Sequence, residues 1–254
     1  MLEIAFSQHS GKVHRSQQDA LWNGECCIQS ANLLPTSLKV GSPSLLAIAD
    51  GVAISPVPHL ASQFVIEQLA VLTEENGLSR KTVREVHGKL CDRYAHGRTF
   101  GTSTTLVAAT IAADVVTIVN VGDSRAYLIG VMDTWKAVSR DHTVLNELID
   151  AELADPDTEY ASLYNALSDC LVADHDEDQF AIHLAQVQLN RGAYLLLCSD
   201  GVHDTLGETR LKALFDRANE AQRQVEVWRN AILQAGAPDN FSIILARLVP
   251  DSTT

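Results

Sequence analysis

The sequence predicts an α+β fold in which antiparallel sheets pack against each other. Short apolar runs rich in β-branched residues and bounded by turn residues predict strands. Longer segments with apolar residues at helical spacing predict helices. These elements run as strands, two helices, several strands, further helices and a last strand, which differs from the regular alternation of parallel βαβ folds.

Five apolar runs carry the strand prediction: Ser44–Ala49, Thr104–Ile111, Val115–Val121, Ala193–Cys198 and Phe241–Val249. Turn residues bound most of these runs. Asp50-Gly51 follows the first, Gly122-Asp123 follows the third, and Pro238-Asp239-Asn240 precedes the last. Because turns favour glycine, proline, asparagine and aspartate, these boundaries support the strands between them.

Five segments have the apolar spacing of a helix: Leu60–Thr73, Ser79–Ala95, Thr143–Leu153, Glu208–Ala218 and Gln222–Gln234. Gly77 lies just past the first of them, at the position where glycine commonly ends a helix. Thr82 and Glu85 have the spacing of a capping box, which predicts a cap near the start of the second helix.

Composition describes a globular protein. The 254 residues are 46% hydrophobic and 20% charged, and a chain of this length buries a core without disulfides. Nineteen basic and 32 acidic residues give a net charge of −13, which argues against binding to a nucleic-acid backbone. It leaves open a phosphate site in which metal ions supply the positive charge.

The five cysteines include no C-x-x-C pair, which predicts free thiols in a reducing compartment. The N-terminal residues lack the pattern of a signal peptide, and no apolar run is long enough to cross a bilayer. We therefore expect a cytoplasmic protein without a membrane partner. We also expect a single domain over residues 1–254, in which the acidic, turn-rich segment from Asp150 to Asp178 is a surface insertion.

Aspartates recur at the ends of the predicted strands. Asp50, Asp123 and Asp200 end or follow apolar runs, Asp239 precedes one, and Asp19 comes directly before an apolar pair. Each of them alone is typical of an ordinary turn. If the strand ends converge, however, the carboxylates crowd one pocket and need cations to neutralise them. Oxygen ligands favour Mg²⁺ or Mn²⁺ over Zn²⁺.

Six short motifs occur along the chain in this order: Gln17-Gln18-Asp19-Ala20, Ala49-Asp50-Gly51, Gly101-Thr102-Ser103, Val121-Gly122-Asp123-Ser124-Arg125, Ser199-Asp200-Gly201 and Pro238-Asp239-Asn240-Phe241-Ser242. The ordered set resembles the metal-dependent protein phosphatases of the protein phosphatase 2C (PPM) family, particularly its compact bacterial members. The resemblance runs from about residue 11 to residue 248. It implies a four-layer α-β-β-α sandwich of two antiparallel sheets flanked by helices.

The resemblance also implies a set of metal ligands for Mn²⁺ or Mg²⁺. Asp50 would bridge two ions, and the Gly51 carbonyl would bind the first. Asp200 and Asp239 would hold the second ion. Asp123 matches the position that helps to bind a third, weaker ion in bacterial members.

Two further residues receive roles by resemblance. Asp19 would act through metal-bound water, and Asn240 would orient that network. The implied reaction is attack of a metal-activated water on phosphoserine or phosphothreonine in proteins. The predicted catalytic residues are Asp19, Asp50, Asp200, Asp239 and Asn240.

The phosphate-binding position departs from the family. Many members carry an arginine five residues before the first aspartate, whereas this chain has His14 there with Arg15 beside it. Imidazole lacks the bidentate fork of a guanidinium. Protonated His14 binds phosphate, or Arg15 reaches in, or phosphate affinity is reduced; the competing interpretation of His14 is a surface histidine.

The bridging motif departs as well. The usual Asp-Gly-x-Gly-Gly is replaced by a loop that continues from Gly51 as Val52-Ala53-Ile54-Ser55-Pro56. Eukaryotic members place a candidate acid where Val52 stands, and valine donates no proton. Water on a metal would then protonate the leaving group, because His59 is interpreted as a surface residue at a helix start.

A flap-like insertion is expected around residues 141–178. Arg140-Asp141-His142-Thr143 resembles the segment that leads into the bacterial flap, whereas Tyr164-Asn165-Ala166-Leu167 lacks its arginine. An acidic cluster follows, interpreted as solvated surface, with repulsion of acidic substrates as the alternative. Its members are Asp174, Asp176, Glu177 and Asp178.

These observations together predict a metal-dependent serine/threonine phosphatase that opposes a kinase in bacterial signalling. We expect a monomer that binds a phosphoprotein substrate and no nucleic acid. Two alternatives stay open. The altered glycine loop and His14 are also compatible with a weak or inactive phosphatase-fold binding module, and a phosphoesterase for small molecules would carry the same motifs.

Overall fold

Two six-stranded antiparallel sheets stack face to face, and helices cover the outer face of each. This arrangement confirms the four-layer α-β-β-α sandwich. The computed structural model describes residues 1–14, 16–132, 134–155, 158, 160–161 and 166–250.

The first sheet contains six strands, in the spatial order β10 (Trp135–Ala137), β9 (Arg125–Ile129), β13 (Tyr194–Cys198), β14 (Phe241–Leu248), β1 (Leu2–His9) and β4 (Asn32–Val40). All neighbouring strands are antiparallel. The register of β1 on β4 shifts between Phe6 and Gln8, which is a local bulge.

The second sheet has the order β12 (His183–Gln188), β8 (Val115–Val121), β7 (Leu106–Ala112), β5 (Ser44–Ala49), β2 (Ala20–Trp22) and β3 (Cys27–Ile28). Its neighbouring strands are also antiparallel. A short ribbon pairs β6 (Ser103–Thr104) with β11 (Leu171–Val172).

Two pairs of helices form the outer layers. Helices α1 (Pro58–Asn76) and α2 (Arg80–Tyr94) cover the second sheet, and α4 (Asp200–Ala213) and α5 (Ala221–Gln234) cover the first. The short helix α3 (Val144–Asp150) and a 3₁₀ turn at Gly97–Thr99 complete the helical elements of the described residues.

Three buried apolar clusters hold the four layers together. The central one fills the space between the sheets, with Phe6 from one sheet and Ile48 from the other. The outer clusters lie under the helices and include Leu69 in α1 and Trp228 in α5. The Trp228 indole donates to the Leu211 carbonyl at 3.0 Å, so its burial leaves no unsatisfied donor.

Several predicted elements match the structure and two do not. The runs at 44–49 and 115–121 form β5 and β8 with the predicted bounds. The run at 104–111 is divided between β6 and β7, because Thr105 leaves the sheet to bond with Asp50. The helix predicted over 208–218 instead begins at Asp200, where the Asp-Gly pair forms the first helical turn; its geometry is interrupted at Gly207.

The helix caps also differ from the capping-box prediction. Ser79, not Thr82, caps α2, since the Ser79 hydroxyl accepts from the Thr82 N–H at 3.2 Å. Gly77 ends α1 as predicted, and its N–H donates to the Thr73 carbonyl at 2.9 Å. Helix α3 ends at Asp150, before the predicted Leu153.

Within the described ranges, none of the helices combines the length and the hydropathy that a bilayer crossing requires. The five cysteines are free thiols, and Cys91 and Cys198 are buried.

Candidate metal centre

Four of the predicted aspartates meet where strands of the two sheets end. Asp19 precedes β2 and Asp50 follows β5; the register places Ala20 opposite Ala49, which brings the two aspartates together. Asp123 lies between β8 and β9, and Asp200 opens α4 directly after β13. In addition to burial, the charges of Asp19, Asp200 and Asp123 all act on the Asp50 carboxyl and raise its pKa, which indicates that the four carboxyls lie near one another.

Asp19 is completely buried and held by serines from the other sheet. Its Oδ2 accepts from the Ser199 hydroxyl at 2.9 Å and from the Ser242 hydroxyl at 2.7 Å. The Oδ1 atom has no hydrogen-bond partner among the described residues. One oxygen is therefore fixed and the other is left available for a ligand.

Backbone contacts with two threonines position Asp50. Its N–H donates to the Thr105 hydroxyl at 3.1 Å, and its carbonyl accepts from the Thr105 N–H and the Thr104 hydroxyl, both at 2.8 Å. The Thr105 hydroxyl also lies 2.8 Å from that of Ser124, next to Asp123. Thr105, which lies between β6 and β7, therefore links Asp50 to the segment that carries Asp123 through hydrogen bonds.

No side chain fits at Gly51. A Cβ there would lie 2.5 Å from the Pro58 carbonyl oxygen and 2.8 Å from the Gln18 carbonyl oxygen. The Gly51 N–H donates to that Gln18 oxygen at 3.2 Å. The loop after Asp50 thus packs tightly against the segment that leads to Asp19.

Asp200 lies at the N-terminus of α4, where the positive end of the helix favours a carboxylate. Its Oδ1 is buried without a hydrogen-bond partner in the described part of the chain. A Cβ at Gly201 would lie 1.9 Å from the Asn240 carbonyl oxygen, so α4 begins in direct contact with the loop that carries Asp239. Asp200 and Asp239 line one small cavity, and burial, with the charge of Asp239, raises the pKa of the Asp200 carboxyl.

Asn240 joins the two loops that flank the centre. Its Oδ1 accepts from the Gln18 N–H at 2.5 Å and its Nδ2 donates to the Ser10 carbonyl at 2.7 Å. Its own N–H donates to Asp239 Oδ1 at 2.7 Å. The buried amide thereby fixes the loop that leads from Ser10 to Asp19.

The electrostatics of the carboxylates indicate mutual repulsion in a buried site. Burial, with the charge of Asp200, raises the pKa of Asp19 from 3.8 to about 7 and that of Asp123 also to about 7. Burial and the charges of Asp19 and Asp200 hold the pKa of Asp50 well above 3.8. The pKa of Asp200 is raised by burial as well.

The donor set fits hard divalent cations. The side-chain donors are carboxylate oxygens, and two of them have no hydrogen-bond partner among the described residues. A divalent cation would bind such oxygens and would stabilise the ionised form of carboxyls whose pKa values are raised. In the described ranges, no three histidine, cysteine, aspartate or glutamate side chains form a closed ligand group. Binding of a cation would therefore require these carboxylates to move closer together.

His14 lies beside the centre. Its Nε2 is 3.2 Å from Asp239 Oδ1, and its side chain is 29% exposed. Arg15 lies outside the described residues. Of the other predicted residues, Val52 donates its N–H to the Ser103 carbonyl at 3.0 Å, and His59 is half-buried in the first turn of α1.

The acidic cluster and the flap-like segment are described only in part. Asp176, Glu177 and Asp178 are exposed, and Asp174 is half-buried. In the 164–167 segment, Tyr164 and Asn165 lie outside the described residues. The segment around 140–143 contacts the Gly122 turn, since His142 Nδ1 accepts from the Gly122 N–H at 3.0 Å.

Sequence reasoning gave no role to the residues that hold the carboxylates. Ser199 and Ser242 lie inside two of the six motifs, and this position in the sequence could have indicated that they belong to the site. Gln8, whose side chain donates to the Asp19 carbonyl at 3.1 Å and to the Ser242 hydroxyl at 3.0 Å, carries no such signal in the sequence.

Two further contacts around Asp123 were also missed. Arg125 donates to Asp141 Oδ2 at 2.6 and 2.8 Å. The buried His203 ring lies between the Asp123 carbonyl, at 3.2 Å, and Asp204 Oδ1, at 3.0 Å. His203 follows Asp200 by three residues, which places both on one face of a helix, and this spacing could have identified His203 from the sequence.

Comparison with known proteins gives a consistent result. The family model for protein phosphatase 2C matches residues 36–235. The serine/threonine phosphatase stp of Listeria monocytogenes is 28% identical over 214 residues, which cover 79% of this chain and 83% of that protein. The serine/threonine protein phosphatase PstP of Mycobacterium tuberculosis is 29% identical over 215 residues, covering 81% of this chain and 40% of PstP.

Solved structures share the fold. The crystal structure of M. tuberculosis PstP/Ppp has a TM-score of 0.80 at 22% identity, covering 98% of this chain and 100% of that one. Stp1 from Staphylococcus aureus has a TM-score of 0.79 at 24% identity, covering 98% and 96%. The PstP catalytic domain in complex with two manganese ions has a TM-score of 0.75 at 23% identity, covering 98% and 100%.

Proposed function

Because the chain belongs to the protein phosphatase 2C family, we propose that it is a metal-dependent hydrolase of phosphoserine and phosphothreonine in proteins. The serine/threonine phosphatases of Listeria and Mycobacterium support this substrate class. The PstP structure in complex with two manganese ions supports a two-ion site for Mn²⁺. Mg²⁺ is the alternative cation, since it also prefers oxygen ligands, and a third ion is part of the proposal by family resemblance only.

The observation that carries the proposal is the convergence of carboxyls at the strand ends: the register of β2 on β5 places Asp19 beside Asp50, and Asp19 and Asp200 each keep a buried oxygen without a hydrogen-bond partner among the described residues. Without cations, carboxylates packed this way would be unfavourable, because the negative charge of each one raises the free energy of ionising its neighbours. The arrangement becomes favourable when divalent cations offset the charge.

We assign the ligands as follows. By the family resemblance, the Asp50 carboxylate and the Gly51 carbonyl would hold metal ions, and the ions would supply positive charge for the phosphoryl group. Asp200 and Asp239 would hold the second of these ions, and Asp123 would help to hold a third if one binds. Cations held there would activate water as a nucleophile at neutral pH and offset charge on the phosphoryl oxygens.

The protein's own side chains orient the reactants. Asp19 Oδ1, which is free while Oδ2 is fixed by two serines, accepts a proton from water. Asn240 holds the loop that carries His14 and Asp19. Protonated His14, beside Asp239, would donate to a substrate phosphate oxygen; Arg15 is the alternative donor.

The setting of the activity is also part of the proposal. We assign residues 1–254 to a single domain with a flap around 141–178, acting as a cytoplasmic monomer that opposes a bacterial protein kinase. The pairing of the first strand, β1, with the last, β14, supports the single domain. The net charge of −13 supports the exclusion of nucleic acid.

Hydrolysis of p-nitrophenyl phosphate and a phosphothreonine peptide with Mn²⁺ tests the proposal. We expect Asp50→Asn to lower kcat at least about 100-fold, comparable to the loss of a key electrostatic group. Asp92→Asn, an exposed carboxylate of α2, is the matched control and should retain full activity.

Full activity in EDTA would overturn the metal dependence. Hydrolysis of small phosphoesters without any hydrolysis of phosphopeptides would favour the small-molecule phosphoesterase. Calorimetric Mn²⁺ binding without turnover of either substrate would favour the inactive binding module.

A further inference from the structure

The loop that follows Asp50 presents an isoleucine to solvent. Ile54 is 96% exposed. Single exposed hydrophobic residues are common on protein surfaces, so this exposure alone gives no function. The loop that carries Ile54 is, however, fixed by hydrogen bonds and lies next to the candidate metal centre in the sequence.

The backbone on both sides of Ile54 is fixed by hydrogen bonds. The Ser55 N–H donates to the Val52 carbonyl at 2.8 Å, which closes a turn with Ala53 and Ile54 at its centre. The Val52 N–H donates to the Ser103 carbonyl at 3.0 Å, and the Ser103 N–H donates to the Ser55 hydroxyl at 3.2 Å. A side chain on such a turn loses little backbone entropy when it binds a ligand.

The end of the loop is anchored in the same way. The Val57 N–H donates to the Thr102 hydroxyl at 3.2 Å. Pro56 and Pro58 stand on either side of Val57 and restrict the chain there. The turn is therefore held before and after Ile54 by the segment 102–103.

This support is shared with the candidate metal centre. Thr104, the residue after Ser103, donates its hydroxyl to the Asp50 carbonyl at 2.8 Å. Ile54 thus lies four residues beyond a candidate ligand and on the same scaffold. In the connection between β1 and β2, Val13 is 70% exposed and directly precedes His14, whose Nε2 lies 3.2 Å from Asp239 Oδ1.

We propose that Ile54 is a specificity residue that selects phosphoprotein segments with an aliphatic side chain next to the phosphorylated residue. The inference rests on the proposed function. A phosphorylated residue can reach the buried carboxylates only if its neighbours in the substrate pass over the surrounding loops. Ala53, Ile54 and Val13 offer those neighbours apolar surface without charge or side-chain hydrogen bonds.

Two phosphothreonine peptides test the proposal, one with leucine and one with serine on both sides of the phosphothreonine. For the unaltered protein with Mn²⁺, we expect kcat/KM to be about tenfold higher for the leucine peptide, mainly through KM, as burial of one aliphatic side chain would give. Ile54→Ser should bring this ratio close to one. Ile54→Leu should retain it, and so should Leu34→Ser, a 63% exposed control on the edge strand β4.

This inference alone would be overturned if the unaltered protein hydrolyses p-nitrophenyl phosphate and also hydrolyses the two peptides with the same kcat/KM. Retention of the full ratio by Ile54→Ser would do the same. Failure of the unaltered protein to hydrolyse any of the three substrates would overturn the proposed function and this inference with it.

Discussion

Arg229 and the carboxylate centre both contact strand β1, and both bury charge, but their partners differ. The Arg229 guanidinium is 5% exposed and donates to the Ser7 hydroxyl at 3.0 Å and the Gln8 carbonyl at 3.2 Å. It also donates to the Leu33 carbonyl at 3.3 Å and to Asn32 Oδ1 at 2.5 Å. These neutral acceptors join α5 to the bulge between β1 and β4.

The carboxylate centre is built in the opposite way. Asp19 and Asp200 each keep one buried oxygen without a hydrogen-bond partner among the described residues, and their neighbours carry the same charge. Hydrogen bonds offset the cost of burying the Arg229 charge, whereas like charges buried without hydrogen-bond partners destabilise the fold. The comparison indicates that Arg229 serves the structure and the carboxylates serve a ligand.

The pH dependence of the metal-free protein should show the largest effect. Because the folded state raises the pKa of Asp19 from 3.8 to about 7, it binds more protons than the unfolded state in this range. For this one carboxyl, the free energy of unfolding should therefore fall by about 3 kcal/mol as the pH rises from 4 to 7, and Asp123, whose pKa is raised likewise, should add to the fall. Denaturant titrations at several pH values in EDTA measure it.

Asp123→Asn should reduce this fall, because one raised carboxyl is removed. Saturating Mn²⁺ should suppress it. A free energy of unfolding that rises steadily from pH 4 to 7 in EDTA would refute the repulsion.

Replacement of Arg229 should have the next largest effect. Arg229→Met removes a donor from the buried Ser7 hydroxyl and the buried Gln8 carbonyl, and we expect a loss of about 3 kcal/mol in the free energy of unfolding. Arg223→Met, at an exposed position of the same helix, should cost less than about 0.5 kcal/mol. Equal losses for the two variants would contradict the structural role of Arg229.

A smaller effect is expected for Ser242→Ala. The substitution removes one of the two hydroxyls that stabilise ionised Asp19, so the pKa of Asp19 should rise further. We expect kcat at pH 7 to fall about tenfold and the acid limb of the pH–rate profile to move to higher pH. Ser37→Ala, on the edge strand β4, is the control; an unchanged acid limb in Ser242→Ala would count against the assignment of Asp19.

The fold was predictable where the chain is apolar and its turns are marked. Strands β5 and β8 follow directly from their β-branched runs. Strands β1 and β4 were missed. Five of the eight residues of β1 are polar or small, and β4 is an edge strand that contains Pro35 and is largely exposed.

The site was predictable only in its carboxylates. Asp19 and its partners Ser199 and Ser242 are 180 and 223 residues apart in sequence. No local sequence pattern connects positions that are so distant. They come together only because β13 pairs with β14 and β14 pairs with β1. The contact of Arg229 with the β1 bulge is hidden for the same reason.

Titration calorimetry with Mn²⁺ at pH 7 tests the central claim most directly. We predict that the unaltered protein binds at least two ions and releases protons, seen as a dependence of the binding heat on the buffer, because the carboxyls hold protons before the metal binds. Asp50→Asn should lose most of this binding. Absence of Mn²⁺ binding by the unaltered protein, or unchanged binding by Asp50→Asn, would contradict the account.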